Sequence, residues 1–326
     1  MDRSSANAFV YAKASGMLAK SFVGSRTEKI FEPTKLSELW ALLFNEEVPL
    51  VPEMILAKKI EQEAENQFVK DFSKLLDCYS NPDKVSLFLL KSFDYGNLRE
   101  IVFALSNQEK DLPELVNIGK YSELKVKNWP NLEKITEKTS FAWYKTVPPI
   151  SEQRIFDHKL DLQYIKELWK NIETLPSSER EPVKAFIQEK IILDNCIWAM
   201  RLKKYYEMSK DEIIENLFSI DENPTEKDDL CGEAIKILDY DFESYDSWQR
   251  WKYRKLLNDN LEGDVWFVDP IWFQQSAKIY LIKKAYKSFH QYPFTANVLV
   301  SWFFIKEHEL DCIRKAVETL RIGDVG

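Results

Sequence analysis

The residues of this chain whose types could do chemistry are three histidines, four cysteines and a few close-set carboxylates, and their spacing decides what they can do. A zinc or di-iron centre on helices needs ligands one turn apart, as in HExxH or Glu-x-x-His. His158, His290 and His308 have Ile155, Lys287 and Ile305 three residues before them, so neither pattern occurs. Glu307-His308-Glu309 is rich in ligating groups, but consecutive residues diverge around a helix axis and make no common ligand face. Asp228-Asp229 is similar in composition to the acidic motifs of helical prenyl-transferring enzymes, yet no further Asp follows at the required turn. Neither GxxxxGK[ST] nor GxGxxG is present, so no loop of the kind that cradles nucleotide phosphates is expected. Cys78, Cys196, Cys231 and Cys312 are scattered without a CxxC pair, each in an apolar helical stretch; reduced, buried thiols of a cytoplasmic protein are the expectation. No catalytic residue, metal site or cofactor is predicted.

One segment has the composition of a binding surface. Residues 245–255, Tyr-Asp-Ser-Trp-Gln-Arg-Trp-Lys-Tyr-Arg-Lys, interleave aromatics with bases, as proteins that stack single-stranded nucleic acid do. As a helix, the segment sets Tyr245, Trp248 and Leu256 on an apolar stripe and leaves Arg250 and Arg254 outside, where they could meet acidic groups on a partner. The net charge of −8 opposes non-specific binding to a phosphate backbone or to anionic lipid, so no nucleic-acid partner is expected. The opening Met1-Asp2-Arg3-Ser4-Ser5 has no basic stretch leading into an apolar run, hence no signal peptide is expected. The most apolar stretch, residues 298–305, is far shorter than the roughly 20 residues that span a bilayer. The expectation is a soluble protein with no membrane span of its own, reaching a membrane only through a partner.

The elements that must carry these residues are helical. Only 8 of 326 residues are Gly, low against a usual level of about 7%, and a sheet protein of this size needs more Gly turns. The 45% hydrophobic content is enough for a sizeable core. Residues 7–22 read as a helix with a stripe of small residues, Ala8, Ala12, Ser15, Gly16 and Ala19, at spacings of three and four; packing inside the domain is the expected use, and a close-approach face for a partner at Ala12 and Gly16 the other. Helices are also predicted over 52–78 and from Asn81-Pro82 through Leu105. Residues 111–150, punctuated by Pro113, Pro130, Pro148 and Pro149, mark a boundary. Beyond it come helices over 152–175 and from a capping box at Ser178-x-x-Glu181 to Tyr206, a polar break at 221–229, and helices over 242–260, 270–289 and 295–320.

A self-similarity with a period near 100 residues runs through these helices. Asp94-Tyr95-Gly96-Asn97-Leu98-Arg99-Glu100-Ile101 recurs in register as Ile192-Leu193-Asp194-Asn195-Cys196-Ile197-Trp198-Ala199, and again as Glu309-Leu310-Asp311-Cys312-Ile313-Arg314-Lys315-Ala316. Each copy lies in a long helix preceded by a proline: Pro82, Pro182 and Pro293. Asp94 and Asn97 are one turn apart, so they are expected to hold a neighbouring helix by side-chain hydrogen bonds. With Arg99, Asn195, Glu309, Cys312 and Arg314 they form a predicted repeat core of structural rather than catalytic residues. The prediction is an all-α chain of three similar helical units, 1–112, 113–222 and 223–326.

The opening Tyr11-Ala12-Lys13-Ala14-Ser15-Gly16-Met17-Leu18, the central Leu160-Asp161-Leu162-Gln163-Tyr164 and the closing Lys306-Glu307-His308-Glu309-Leu310-Asp311-Cys312-Ile313-Arg314 resemble the C-type component of the bacterial and archaeal V-type (A-type) rotary ATPases, whose eukaryotic counterpart is the d-type component. That family tends to carry Asn at the position of Cys312 and an acid at that of Ile192. The resemblance implies three helical bundles in a pseudo-threefold, funnel-like arrangement on the cytoplasmic face of a membrane, with the membrane rotor ring of proteolipid subunits and the central shaft as partners. It implies a non-catalytic, peripheral coupling role in ATP-linked proton or sodium transport. A free helical-repeat scaffold for other soluble proteins is the alternative.

Overall fold

A computed structural model describes residues 3–260 and 265–323; Met1 and Asp2 of the opening segment lie outside it. The described residues are helical, with no strand among them. They divide into two compact units, one of residues up to Asp157 together with those from Ser288, the other spanning His158–Lys287. These units cut the chain at other places than the 1–112, 113–222 and 223–326 segments, because the C-terminal helix returns to pack on the N-terminal ones.

The first unit is built on α1 (Arg3–Lys20), α2 (Leu36–Phe44), α3 (Glu53–Leu76), α4 (Lys84–Ser106), α5 (Leu132–Thr136) and α11 (Asn297–Gly323). Helix α3 buries Leu56, Ile60, Ala64, Phe68, Phe72 and Leu75, a three-and-four spacing that points one stripe at α11. There the rings of Phe68 and Phe72 stack on Trp302 at 5.8 and 5.7 Å, with Phe303 across them at 5.0 and 5.2 Å. Each such buried side chain contributes about 1.5–3 kcal/mol, which is why the chain's two ends belong to one unit. Helix α4 starts two residues later than Asn81 would place it. Asp83 is the cap, accepting from the Ser86 amide, and Pro82 lies ahead of the helix.

The second unit is centred on α7 (Ser177–Tyr206), against which α8 (Lys210–Glu215) and α9 (Gly232–Ile237) pack. The capping box predicted at Ser178 and Glu181 does not form. Helix α7 begins at Ser177 behind Pro176, so Pro182 sits inside the helix. Residues 242–260 are not one helix but two short 3-10 turns, Tyr245–Trp248 and Arg254–Leu256. Their hydrophobes follow no 3.6 period, because Trp248, Trp251, Tyr253 and Leu257 all enter the core. Trp248 and Trp251 meet edge to face at 5.2 Å. Gly232 begins α9 where a Cβ would stand 2.5 Å from the Glu226 carbonyl oxygen, which explains a glycine there. Helix α6 (Gln153–Ile172) and helix α10 (Pro270–Gln291) complete the set of helices.

Helix α1 reverses one sequence-based expectation. Its buried stripe is Ala6, Val10, Ala14 and Leu18, while Ala8, Ala12, Gly16 and Ala19 are exposed and Ser15 is half-buried. The small residues are therefore not used for packing inside the unit. Nothing lies within 4 Å of where a Gly16 side chain would begin. Gly16→Ala is accordingly expected to raise stability by about 0.5–1 kcal/mol through helix propensity, and Gly16→Leu to leave folding intact, both read by urea denaturation. A loss above about 1 kcal/mol in either variant would show that this face is covered.

Candidate functional site

The predicted repeat core is where side chains organise backbone. In α4, Asn97 donates from Nδ2 to the Val116 carbonyl at 2.8 Å and accepts the Val116 amide on Oδ1 at 2.8 Å. In α7, Asn195 does the same to Phe218, donating at 2.9 Å and accepting at 2.8 Å, and donates again to the Leu230 carbonyl at 2.9 Å. A primary amide matches a peptide group donor for acceptor, so one buried Asn can replace a strand partner for an extended loop. Both asparagines hold loops, whereas the sequence predicts a neighbouring helix as the partner of Asn97. At the third position Cys312 cannot make such a clasp. Its Sγ lies 3.7 Å from Nε2 of His308, one turn back on the same helix.

The acidic position three residues earlier also recurs. Asp94 accepts from the Ser122 hydroxyl at 2.8 Å and the Glu123 amide at 2.6 Å. It is buried, and burial pushes its carboxyl up, opposed by those two hydrogen bonds. Glu309, its counterpart in α11, accepts the amide of Phe22, and the neighbouring Ser21 hydroxyl takes a hydrogen bond from Lys306 at 2.9 Å. The Phe22 amide thus stands to Glu309 as the Glu123 amide stands to Asp94, whereas the Ser21 hydroxyl donates to the Met17 carbonyl and not to the acid. The residue meeting the acid comes from the chain's N-terminal segment here, and from the loop after the repeat helix at Asp94.

One turn before each acid is a position that the repeat register of the sequence did not reach. Lys91 pairs with Glu123, and Lys306 pairs with Glu309. The middle copy inverts this charge. Ile192 replaces the acid, and Glu189 stands where the lysines do. Glu189 is buried, and takes Lys284 and the Tyr280 hydroxyl, the latter at 2.9 Å. Extending the repeat register three residues upstream would have shown these positions.

Asn97, Arg99 and Arg314 converge on one groove of about 770 Å³ in the first unit, over a floor that includes Phe68, Phe93 and Phe303. Its walls carry six carboxylates, Glu61, Glu65, Glu100, Glu109, Glu114 and Glu307, against the three bases Lys58, Arg99 and Arg314. Arg314 pairs with Glu65 at 3.2 Å and Arg99 with Asp157 at 3.5 Å. Burial holds the carboxyls of Glu61 and Glu65 above their usual range, and Arg314 pulls the other way. A groove with excess carboxylate on an aromatic floor fits a basic, partly apolar segment of another protein.

The remaining predicted residues are elsewhere. Asn195 is in the second unit, as are Arg250 and Arg254, which are exposed; Arg254 donates to the Gln249 carbonyl at 2.7 Å. Ala12 and Gly16 lie on the open face of α1. Asp228 is a loop staple that accepts from the amides of Leu230 and Cys231 and from the Ser219 hydroxyl. Cys196 and Cys231 are buried, but Cys78 and Cys312 are half-buried, unlike the expectation for all four. No group of His, Cys, Asp and Glu among the described residues is placed to hold a metal ion, and no described helix is long and apolar enough to cross a membrane.

A relative in Treponema pallidum (strain Nichols), described as an uncharacterized protein, is 27% identical over 326 residues, covering 99% of this chain and 95% of the relative. The family model of the ATP synthase (C/AC39) subunit matches residues 10–323, from α1 to the end of α11 and through all three repeat copies. With clasps, groove and every helix from α2 onward inside that match, this chain belongs to the ATP synthase (C/AC39) subunit family.

Proposed function

We propose that this protein is a non-catalytic central-stalk subunit of a V-type rotary ATPase or ATP synthase, joining the soluble rotor shaft to the membrane rotor ring. The family match over residues 10–323 is the observation that carries this. On this reading, segments 1–112, 113–222 and 223–326 are related helical bundles. The chain works at the cytoplasmic face as a peripheral part, and transmits rotation between ATP turnover and proton or sodium transport without making or breaking bonds. Torque transfer needs stiff bodies, and interiors packed as densely as organic crystals are stiff. Loops tied to helices by buried Asn97 and Asn195 favour the same role. The acidic groove is the proposed seat for a basic tip of the shaft.

Tagged full-length chain recovered from detergent-solubilised membranes is expected to bring down the ring proteolipid and shaft subunits in near-fixed ratio, as read by mass spectrometry. Recovery of soluble proteins with neither would establish the free scaffold instead.

A further inference from the structure

The repeat register reaches a surface that the clasps do not explain. Helices α3, α6 and α10 are the helices that precede the three repeat helices, and they begin at Glu53, Gln153 and Pro270. Three residues before each start stands a large apolar side chain in water: Leu50, Ile150 and Phe267, exposed to 104%, 86% and 53%. Two residues after each start stands a second exposed one: Ile55, Ile155 and Trp272. The chain thus presents the same apolar knuckle three times, in the same register.

Folding does not account for it. Single exposed hydrophobes are ordinary, but six at matched positions of a repeat, with only Phe267 touched by its own unit through Lys204, amount to three local patches kept open for something else. A partner that selects the same chemistry three times is one whose own surface repeats. The charge at each knuckle narrows its chemistry. A carboxylate sits at or beside every helix start, Glu53, Glu152 and Asp269; the second knuckle adds a base, Arg154, and at the third the Lys204 ammonium lies 4.0 Å from the centre of the Phe267 ring. Segments that lie in lipid are rich in Lys and Arg, and anionic headgroups repel carboxylates. A protein surface with apolar notches rimmed by basic groups fits.

We propose that the knuckles at Leu50–Ile55, Ile150–Ile155 and Phe267–Trp272 are three separate apolar anchors for an assembly of identical subunits that each offer such a notch. Each knuckle is one contact by itself. This rests on the proposed role above, in which the ring is that assembly.

The test uses tagged full-length chain with Leu50→Ser, Ile150→Ser and Phe267→Ser, singly and combined, recovered from solubilised membranes with ring proteolipid as the readout. Each single change is expected to lower ring recovery by up to about tenfold, and the triple change by about a hundredfold or more. Urea midpoints should stay unchanged for Leu50→Ser and Ile150→Ser, whose side chains are exposed, and fall slightly for Phe267→Ser and the triple variant, which lose the Lys204 contact to the ring. Ring recovery by the triple variant equal to that of the unmodified chain would overturn the anchors and leave the coupling role standing. Failure of the unmodified chain itself to recover ring would overturn the coupling role. Flotation of the unmodified chain with vesicles of phosphatidylserine and phosphatidylcholine, lost in the triple variant, would identify lipid as the occupant and also overturn the proposal.

Discussion

Replacing Asn195 by alanine is expected to lower the unfolding free energy of the second unit by about 3–5 kcal/mol. The side chain is fully buried and makes three hydrogen bonds to two loops, those of Phe218 and Leu230. Alanine leaves one amide and two carbonyls without partners where water has no easy access, and each such orphan costs about 1–3 kcal/mol. Asn195→Asp keeps the shape but sets a carboxylate against two carbonyls, so it should be no milder. Asn97→Ala, which removes two hydrogen bonds rather than three, should cost less, about 1.5–3 kcal/mol. Urea denaturation followed by tryptophan fluorescence reports on the second unit through Trp248, Trp251 and Trp266, all buried there. A loss below about 1 kcal/mol for Asn195→Ala would mean that the clasp is decorative.

Glu309→Leu should be comparably damaging to the first unit, at about 3–5 kcal/mol. Glu309 and Lys306 are nearly buried, with side-chain exposures of 6% and 12%. Removing the acid strands a lysine that keeps its hydrogen bond to the Ser21 hydroxyl but loses its counter-charge. It also leaves the Phe22 amide without its acceptor. The pair as a whole contributes less than either half-removal would indicate, because desolvation offsets much of its Coulomb attraction. Lys306→Met in the Glu309→Leu background is therefore expected to restore most of the loss, short of the Phe22 amide. Hydrogen exchange at Phe22 separates the two contributions: it should speed up in the single and the double variant alike. If the double variant is as unstable as the single one, the damage comes from packing and not from the stranded charge.

The two substitutions also show how far the repeat can be followed in residues alone. Asp94 with Glu309, and Asn97 with Asn195, are legible as two pairs of equivalent positions, since each pair occurs at one register in long helices. What they hold is not legible. The partners of Asn195 are 23 and 35 residues away, and those of Glu309 include an amide 287 residues away. Periodicity reports which face of a helix is buried and carries no information about which loop crosses it. The segment 242–260 departs from expectation for a related reason. Its aromatics are dense enough to imitate a helical stripe, but the short 3-10 turns let four closely spaced side chains turn inward, which a 3.6 period forbids.

The stripe on α1 is visible in the residues, but its environment is not. Ala6, Val10, Ala14 and Leu18 form a second set at four-residue spacing, and a helix with small side chains on two faces does not declare which one is covered. Arg99 and Arg314 share a register, yet only folding brings both to a single acidic groove.

The sequence by itself determined that the chain is helical and that its motifs belong with the ATP synthase (C/AC39) family, because propensity, periodicity and local motifs are written in neighbouring residues. Tertiary structure alone decided that α11 joins the N-terminal helices, that the Phe22 amide meets Glu309, and that Leu50, Ile150 and Phe267 stay exposed. Those outcomes depend on which distant surfaces exclude water together, and burial is a property of the folded pair rather than of either segment.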